Sequence, residues 1–159
     1  MQSQVVKKNG KLLLNINGEI FVPNAYMSYV KEQADYVGFK KNGNRLFFGC
    51  IQMGDTFFAY EEGIWKAENV YDFSSVKNVL DTIIGTSKKG EIYVLLRINL
   101  NVPKWWLEKY PDEVMETSTG KKWLQSPCSK QWKKDCAEFL KRLQSFILTT
   151  VFPISRDCR

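Results

Sequence analysis

The chain has 159 residues, 44% of them hydrophobic and 25% charged, with a formal net charge of +6. That is one domain's worth of polypeptide, long enough for a real core but too short for a complete eight-stranded α/β barrel, which takes about 250 residues. Histidine is absent, which removes Ser-His and Cys-His catalysis and the commonest metal ligand, and no apolar run reaches membrane-spanning length.

In chain order, residues 3–23 carry Asn9-Gly10 and Asn17-Gly18 between short β-prone segments. Asn-Gly supplies the positive φ angles of a type I′ turn, so the pattern predicts an antiparallel three-stranded flap. Ile20 to Met27 continues as a strand with Asn24, Tyr26 and Ser28 near its end. From Tyr29 to Lys41 the pattern is helical, with Val30, Ala34, Val37 and Phe39 inward, and Asn42-Gly43-Asn44 ends it. Leu46 to Ile51 reads as a buried strand. Gln52 to Tyr71 reads as a long loop rich in aromatics and acids, among them Phe57, Phe58, Tyr60 and Trp65. Long loops in compact domains are functional or disordered, and the aromatic content argues against disorder.

Asp72 is a good N-cap for a helix running to about Ser87, with Phe73, Val76, Leu80, Ile83 and Ile84 along one face. Ile92 to Leu96 is an unbroken apolar run, the habit of a strand buried on both faces of a parallel sheet. Its character changes at Arg97 and Asn99; Pro103 stops any ladder, and Trp105 and Trp106 follow. Ser126 with Pro127 at the first helical position starts a last helix, which stacks Trp132, Cys136, Phe139, Leu140, Leu143 and Ile147. The expected architecture is α/β: a flap over 3–23, about three βα units of a parallel sheet over 20–147, and a divergent tail over 148–159.

Function in α/β barrels collects at the carboxyl ends of the strands, which puts Arg97, Asn99 and the paired tryptophans at the edge of a possible sugar pocket. Adjacent residues rarely face the same way, so one of Trp105 and Trp106 is expected to stack on sugar and the other to cap the core. Arg97 can orient a carboxylate through its rigid fork or form a structural ion pair. Asn99 can bond a hydroxyl or cap the loop. Asn24 and Tyr26 hold the matching position on the first strand, with the same two readings, and Tyr60 comes from the aromatic loop. Glu61 and Glu62 read as solvated acids rather than catalysts.

The four cysteines, Cys50, Cys128, Cys136 and Cys158, form no zinc spacing, and reduced thiols in a cytosolic protein fit best. No metal or cofactor is expected, since neither GxGxxG nor GxxxxGK[ST] occurs. The basic stretch from Lys121 to Arg142 is interleaved with Asp135 and Glu138, so a solvated helix face is favoured over a nucleic-acid surface. No membrane partner is expected.

Tyr71-Asp72-Phe73-Ser74, Ile92 to Asn99, and Pro103-Lys104-Trp105-Trp106 followed by Tyr110-Pro111-Asp112-Glu113 together resemble the amino-terminal half of β-galactosidase-like barrels such as glycoside hydrolase family 42. The opening Ile16 to Tyr26 resembles the way such enzymes enter the first barrel strand. Arg97 and Asn99 stand where that family is associated with small hydroxyl residues. The resemblance implies a partial (β/α)8 barrel and a retaining glycosidase with two glutamates, the acid/base after the fourth strand in an Asn-Glu pair and the nucleophile on the seventh. This sequence contains no Asn-Glu dipeptide. The expectation is therefore an amino-terminal piece that contributes substrate wall without the catalytic pair and is inactive alone. Its open sheet edges would favour self-association or pairing with the rest of the barrel. A carbohydrate-binding module built on Trp105 and Trp106 is the alternative, and a basic nucleic-acid binder the third.

Overall fold

The computed structural model describes residues 2–55 and 63–151. The amino-terminal flap is a three-stranded antiparallel sheet of β1 (Ser3–Lys8), β2 (Lys11–Ile16) and β3 (Glu19–Phe21), in that order. Asn9 (φ 51°) with Gly10 (φ 76°), and Asn17 (φ 51°) with Gly18 (φ 93°), make its two tight turns. Both residues of each turn take the left-handed region that a two-residue hairpin loop demands.

A second sheet is parallel. It consists of β4 (Ala25–Tyr26), β5 (Leu46–Gln52) and β8 (Tyr93–Asn99), in the order β4-β5-β8. Between β4 and β5 lies α1 (Tyr36–Lys41). Between β5 and β8 lie the hairpin β6 (Trp65–Ala67) with β7 (Val70–Tyr71), and then α2 (Ser74–Ile84). After β8 come α3 (Lys104–Lys109), the hairpin β9 (Val114–Glu116) with β10 (Lys122–Gln125), and α4 (Lys130–Phe146), which runs on into a π-helical turn over Ile147–Val151. The sheets are small, and none closes into a barrel among the described residues.

Several boundaries differ from the sequence expectations. The strand expected from Ile20 to Met27 is broken at Pro23, which cannot donate to a ladder. The helix expected from Tyr29 begins as a short 3-10 turn over Lys31–Gln33 and becomes α-helical at Tyr36. There the Asp35 carboxylate accepts the Gly38 N–H at 2.8 Å and caps it. The last helix starts at Lys130, three residues after Pro127, because Ser129 is the residue whose hydroxyl accepts the Trp132 N–H, at 2.9 Å. The Ser126 hydroxyl instead accepts from Cys128 and holds the preceding turn. Residues 148–151 prolong α4, where a tail was expected.

Register sets the faces. Phe47, Gly49 and Ile51 of β5 pair with Val94, Leu96 and Ile98 of β8 and face the helices. There they meet Val76, Val79, Leu80 and Ile83, spaced along one stripe of α2, together with Phe139 and Leu143 of α4. Phe47, Ile83 and Phe139 are fully buried, each contributing about 1.5–3 kcal/mol of apolar transfer. Phe48, Cys50 and Gln52 pair with Leu95, Arg97 and Asn99 on the opposite face, and none of these belongs to the helix-side cluster. Leu95 is 44% exposed there.

The flap is fastened to the amino end of this sheet. Phe21 stacks on Tyr93 with ring centroids 5.8 Å apart, and the Arg45 guanidinium lies 5.1 Å and 5.5 Å from those two rings. The same guanidinium donates to Glu19 at 2.6 Å and to the Gly90 and Glu91 carbonyls. No helix of the described residues is long and apolar enough to cross a membrane.

Candidate functional site

The residues singled out from sequence fall on two surfaces. The first is the carboxyl end of the open sheet face. Arg97 and Asn99 project there beside Cys50 and Gln52, as two residues separated by one on a strand must. Arg97 donates to the Tyr29 hydroxyl and lies 5.4 Å from the centre of the Tyr29 ring, so the loop after β4 supplies its partner. Among the described residues Arg97 meets this phenol and no carboxylate, and its side chain is exposed.

Asn99 holds backbone at both ends. Its side-chain oxygen accepts the Asn101 N–H at 3.1 Å, and its carbonyl accepts from Met53 at 2.8 Å. Gln125 extends this network: it donates to the Asn101 side chain at 3.0 Å and accepts the Val102 N–H at 3.3 Å. The loop leaving β8 is thereby fixed in place, the loop-capping role of the two foreseen for Asn99. Gly54 lets that loop approach, since a Cβ there would stand 2.2 Å from the Pro103 nitrogen.

Tyr26 and Asn24 do not join Arg97. Tyr26 pairs in register with Phe47 and so faces the helices, stacking on Phe39 at 3.8 Å and meeting Tyr36 edge-on. Its hydroxyl accepts the Asp35 N–H at 3.0 Å. Asn24 is exposed, and its N–H bonds back to the Val22 carbonyl at 2.8 Å. Tyr60, Glu61 and Glu62 lie outside the described residues.

The second surface is an open groove of about 600 Å³ on the helix side, between the β6–β7 hairpin, α3 and α4. Trp65, Tyr71, Trp105 and Tyr110 give it aromatic walls. Trp106 is fully buried, stacks at a tilt on Tyr110 at 4.9 Å, and donates its indole N–H to Asp135 at 2.7 Å. It offers no free face and acts as a strut between α3 and α4. Trp105 is half-buried and packs edge-to-face on Trp65, centroids 4.9 Å apart. Adjacent positions on one helix thus put Trp106 in the core and leave Trp105 half-buried.

Lys109 grips Glu68 at 2.7 Å, tying the hairpin turn to α3, and this bond to Glu68 raises the lysine pKa. Arg142 lies 5.0 Å from the Tyr71 ring centre and donates to Glu138 at 2.8 Å. Burial pushes the Tyr71 phenol pKa up, opposed by the nearby Arg142 charge. Sequence reasoning missed Tyr29, Gln125 and the acids of α4. Asp135 and Glu138 were legible as a helical i, i+3 pair, but only the fold shows that their stripe meets Trp106 instead of water alone.

Among the described residues no group of three or more acidic, cysteine or histidine side chains could hold a metal ion. Comparison with protein-family models, with curated proteins and with solved structures finds no match in any of the three.

Proposed function

We propose that this chain supplies the first three βα units of a β-galactosidase-like retaining glycoside hydrolase of the (β/α)8 barrel type, and that alone it does not turn over substrate. One observation carries the reading. Three parallel strands follow one another in sequential order with helices packed on one face, while the other face exposes Leu95 and Arg97 among the described residues and ends in polar groups. Barrel strands have that arrangement, with the inward face closed off by the strands that follow. In this reading Arg97 and Asn99 are part of the substrate wall at the barrel mouth, and the flap caps the amino end of the strands. The reacting glutamates belong to later strands, in keeping with the absence of an Asn-Glu dipeptide.

The test is incubation of the purified chain with a chromogenic β-galactoside. No turnover is expected, and hydrolysis abolished by an internal Glu→Gln change overturns the proposal. The exposed Leu95 on that face gives a second, positive readout. The chain should self-associate, or pair with the remainder of a barrel, through the Leu95 face, and Leu95→Lys should shift sedimentation toward monomer. A clean monomer before the substitution counts against the reading. We assign a cytoplasmic setting, in keeping with the unbridged thiols of Cys128 and Cys136.

A further inference from the structure

The flap carries an exposed surface that the barrel reading leaves unused. Strand register puts Val5, Lys7, Leu12, Leu14 and Phe21 on one of its faces. At the inner end of that face Phe21 is covered by Tyr93 and Arg45. Toward the Asn9-Gly10 turn, Val5 is 70% exposed and its diagonal neighbour Leu12 65%. Lys7, Lys8 and Lys11 surround these two aliphatic chains, all exposed and none in an ion pair among the described residues. Glu19, the one acid of residues 3–21, is taken by Arg45. We propose that this end of the flap docks on the surface of an anionic lipid bilayer, Val5 and Leu12 entering the acyl boundary while the three lysines reach the headgroups.

Charge and shape select that partner together. Uncompensated lysines about one hairpin turn call for a negative surface and aliphatic chains for an apolar one, and a leaflet containing acidic phospholipid offers both side by side. Lysine stems are long enough to lie along the aliphatic patch with the ammonium in the headgroup layer. A nucleic acid would supply the charge, but its bases stack on exposed rings, and the one ring of the flap, Phe21, is spent on Tyr93 and Arg45. A second copy of this chain would bring the same lysines against these. Lysines also keep a free edge strand such as β1 from pairing with other chains, a role that an exposed valine and leucine between them would undo. Peripheral contact needs no membrane-spanning run, and the patch exists only once register has paired β1 with β2, so sequence predicted no membrane partner.

The experiment is co-sedimentation of the purified chain with vesicles of phosphatidylcholine alone, and of phosphatidylcholine with about 30% phosphatidylserine, in roughly 0.1 M KCl. Saturable binding to the anionic vesicles and none to the neutral ones is expected. Val5→Ser combined with Leu12→Ser should weaken it about tenfold at unchanged net charge, and Lys8→Gln alone about fivefold. Lys130→Gln with Lys133→Gln and Lys134→Gln removes more charge from the exposed side of α4 and should leave binding within about twofold. All the substituted side chains are exposed, so the core keeps its packing. Absence of binding to the anionic vesicles, or equal binding to both kinds, overturns the proposal. Equal losses from the flap and α4 lysine variants would mark general attraction of a basic chain and do the same. Unchanged binding by the Val5 and Leu12 variant, or tighter binding of an oligothymidylate than of the vesicles, also overturns it. None of these variants touches Leu95 or Arg97, so this proposal and the barrel reading fail separately.

Discussion

Trp106 donates its indole N–H to the Asp135 carboxylate at 2.7 Å, joining α3 to α4 across 29 residues of chain. Gln131 donates to both oxygens of the same carboxylate, at 2.9 Å and 3.0 Å, and so aims it. The segment that begins as a candidate sugar platform is in this way anchored to the last helix by a fully buried ring.

Removing the acceptor should therefore strand a buried donor. Asp135→Ala is expected to destabilise the chain by about 2 kcal/mol, and Asp135→Asn, which keeps an acceptor oxygen, by clearly less. Urea midpoints measure both. Equal losses for the two variants would show that the hydrogen bond is not what the carboxylate contributes.

Arg45 holds the flap through two ring faces, Glu19 and two carbonyls at once. Arg45→Ala should release residues 3–21 while leaving α4 protected, which hydrogen exchange reads strand by strand. Arg45→Lys should rescue little, because a point charge cannot reproduce the planar fork. Uniformly faster exchange across the whole chain would show that Arg45 supports the core and not the flap in particular.

Gly54 is required by proximity and not by its backbone angles. A Cβ there would meet the Val102 carbonyl carbon and the Pro103 nitrogen, each at 2.2 Å, and backbone atoms cannot rotate away. Gly54→Ala is expected to cost about 3 kcal/mol. Gly10→Asn is the contrasting control, since Gly10 has open space around it and asparagine tolerates its positive φ. A Gly54→Ala protein as stable as the control variant would mean that the two loops do not touch.

Burial raises the Cys136 thiol from 9.0 to about 12. The sign follows from linkage: the unfolded thiol ionises first, so this contribution is intact below pH 9 and is lost as pH climbs through 9 toward 12. The wild type should lose stability over that window more steeply than Cys136→Ala, which has no thiol to ionise. At pH 8, alkylation followed by peptide mapping should mark exposed Cys128 well before Cys136. Early modification of Cys136 in the folded chain would contradict its burial.

Local chemistry made much of the fold legible in the sequence. The two Asn-Gly pairs form the flap turns because few other dipeptides accept two consecutive positive φ angles. The stripe from Val76 to Ile83 forms the buried face of α2 because its period is that of a helix. The apolar run before Arg97 forms a parallel strand, but not one buried on both faces as expected, since Leu95 is 44% exposed on the face away from the helices. Short elements escaped. The β6–β7 and β9–β10 hairpins and α3 are each too brief to leave a period, and the start of α4 was decided by which serine could reach an N–H.

Sequence by itself determined the inventory: a flap, apolar strands with polar tips, paired tryptophans, and a chain without histidine or a phosphate loop. Tertiary structure alone decided who meets whom. Arg97 and Trp105 are eight positions apart in the chain, yet strand register sends one to the open face and helix packing sends the other to the groove. Tyr26 turned away from Arg97 for the same reason, its partner Phe47 facing the helices. Side-chain direction alternates along a strand, so the face a residue occupies is set by pairing with strands distant in sequence, which no local pattern records.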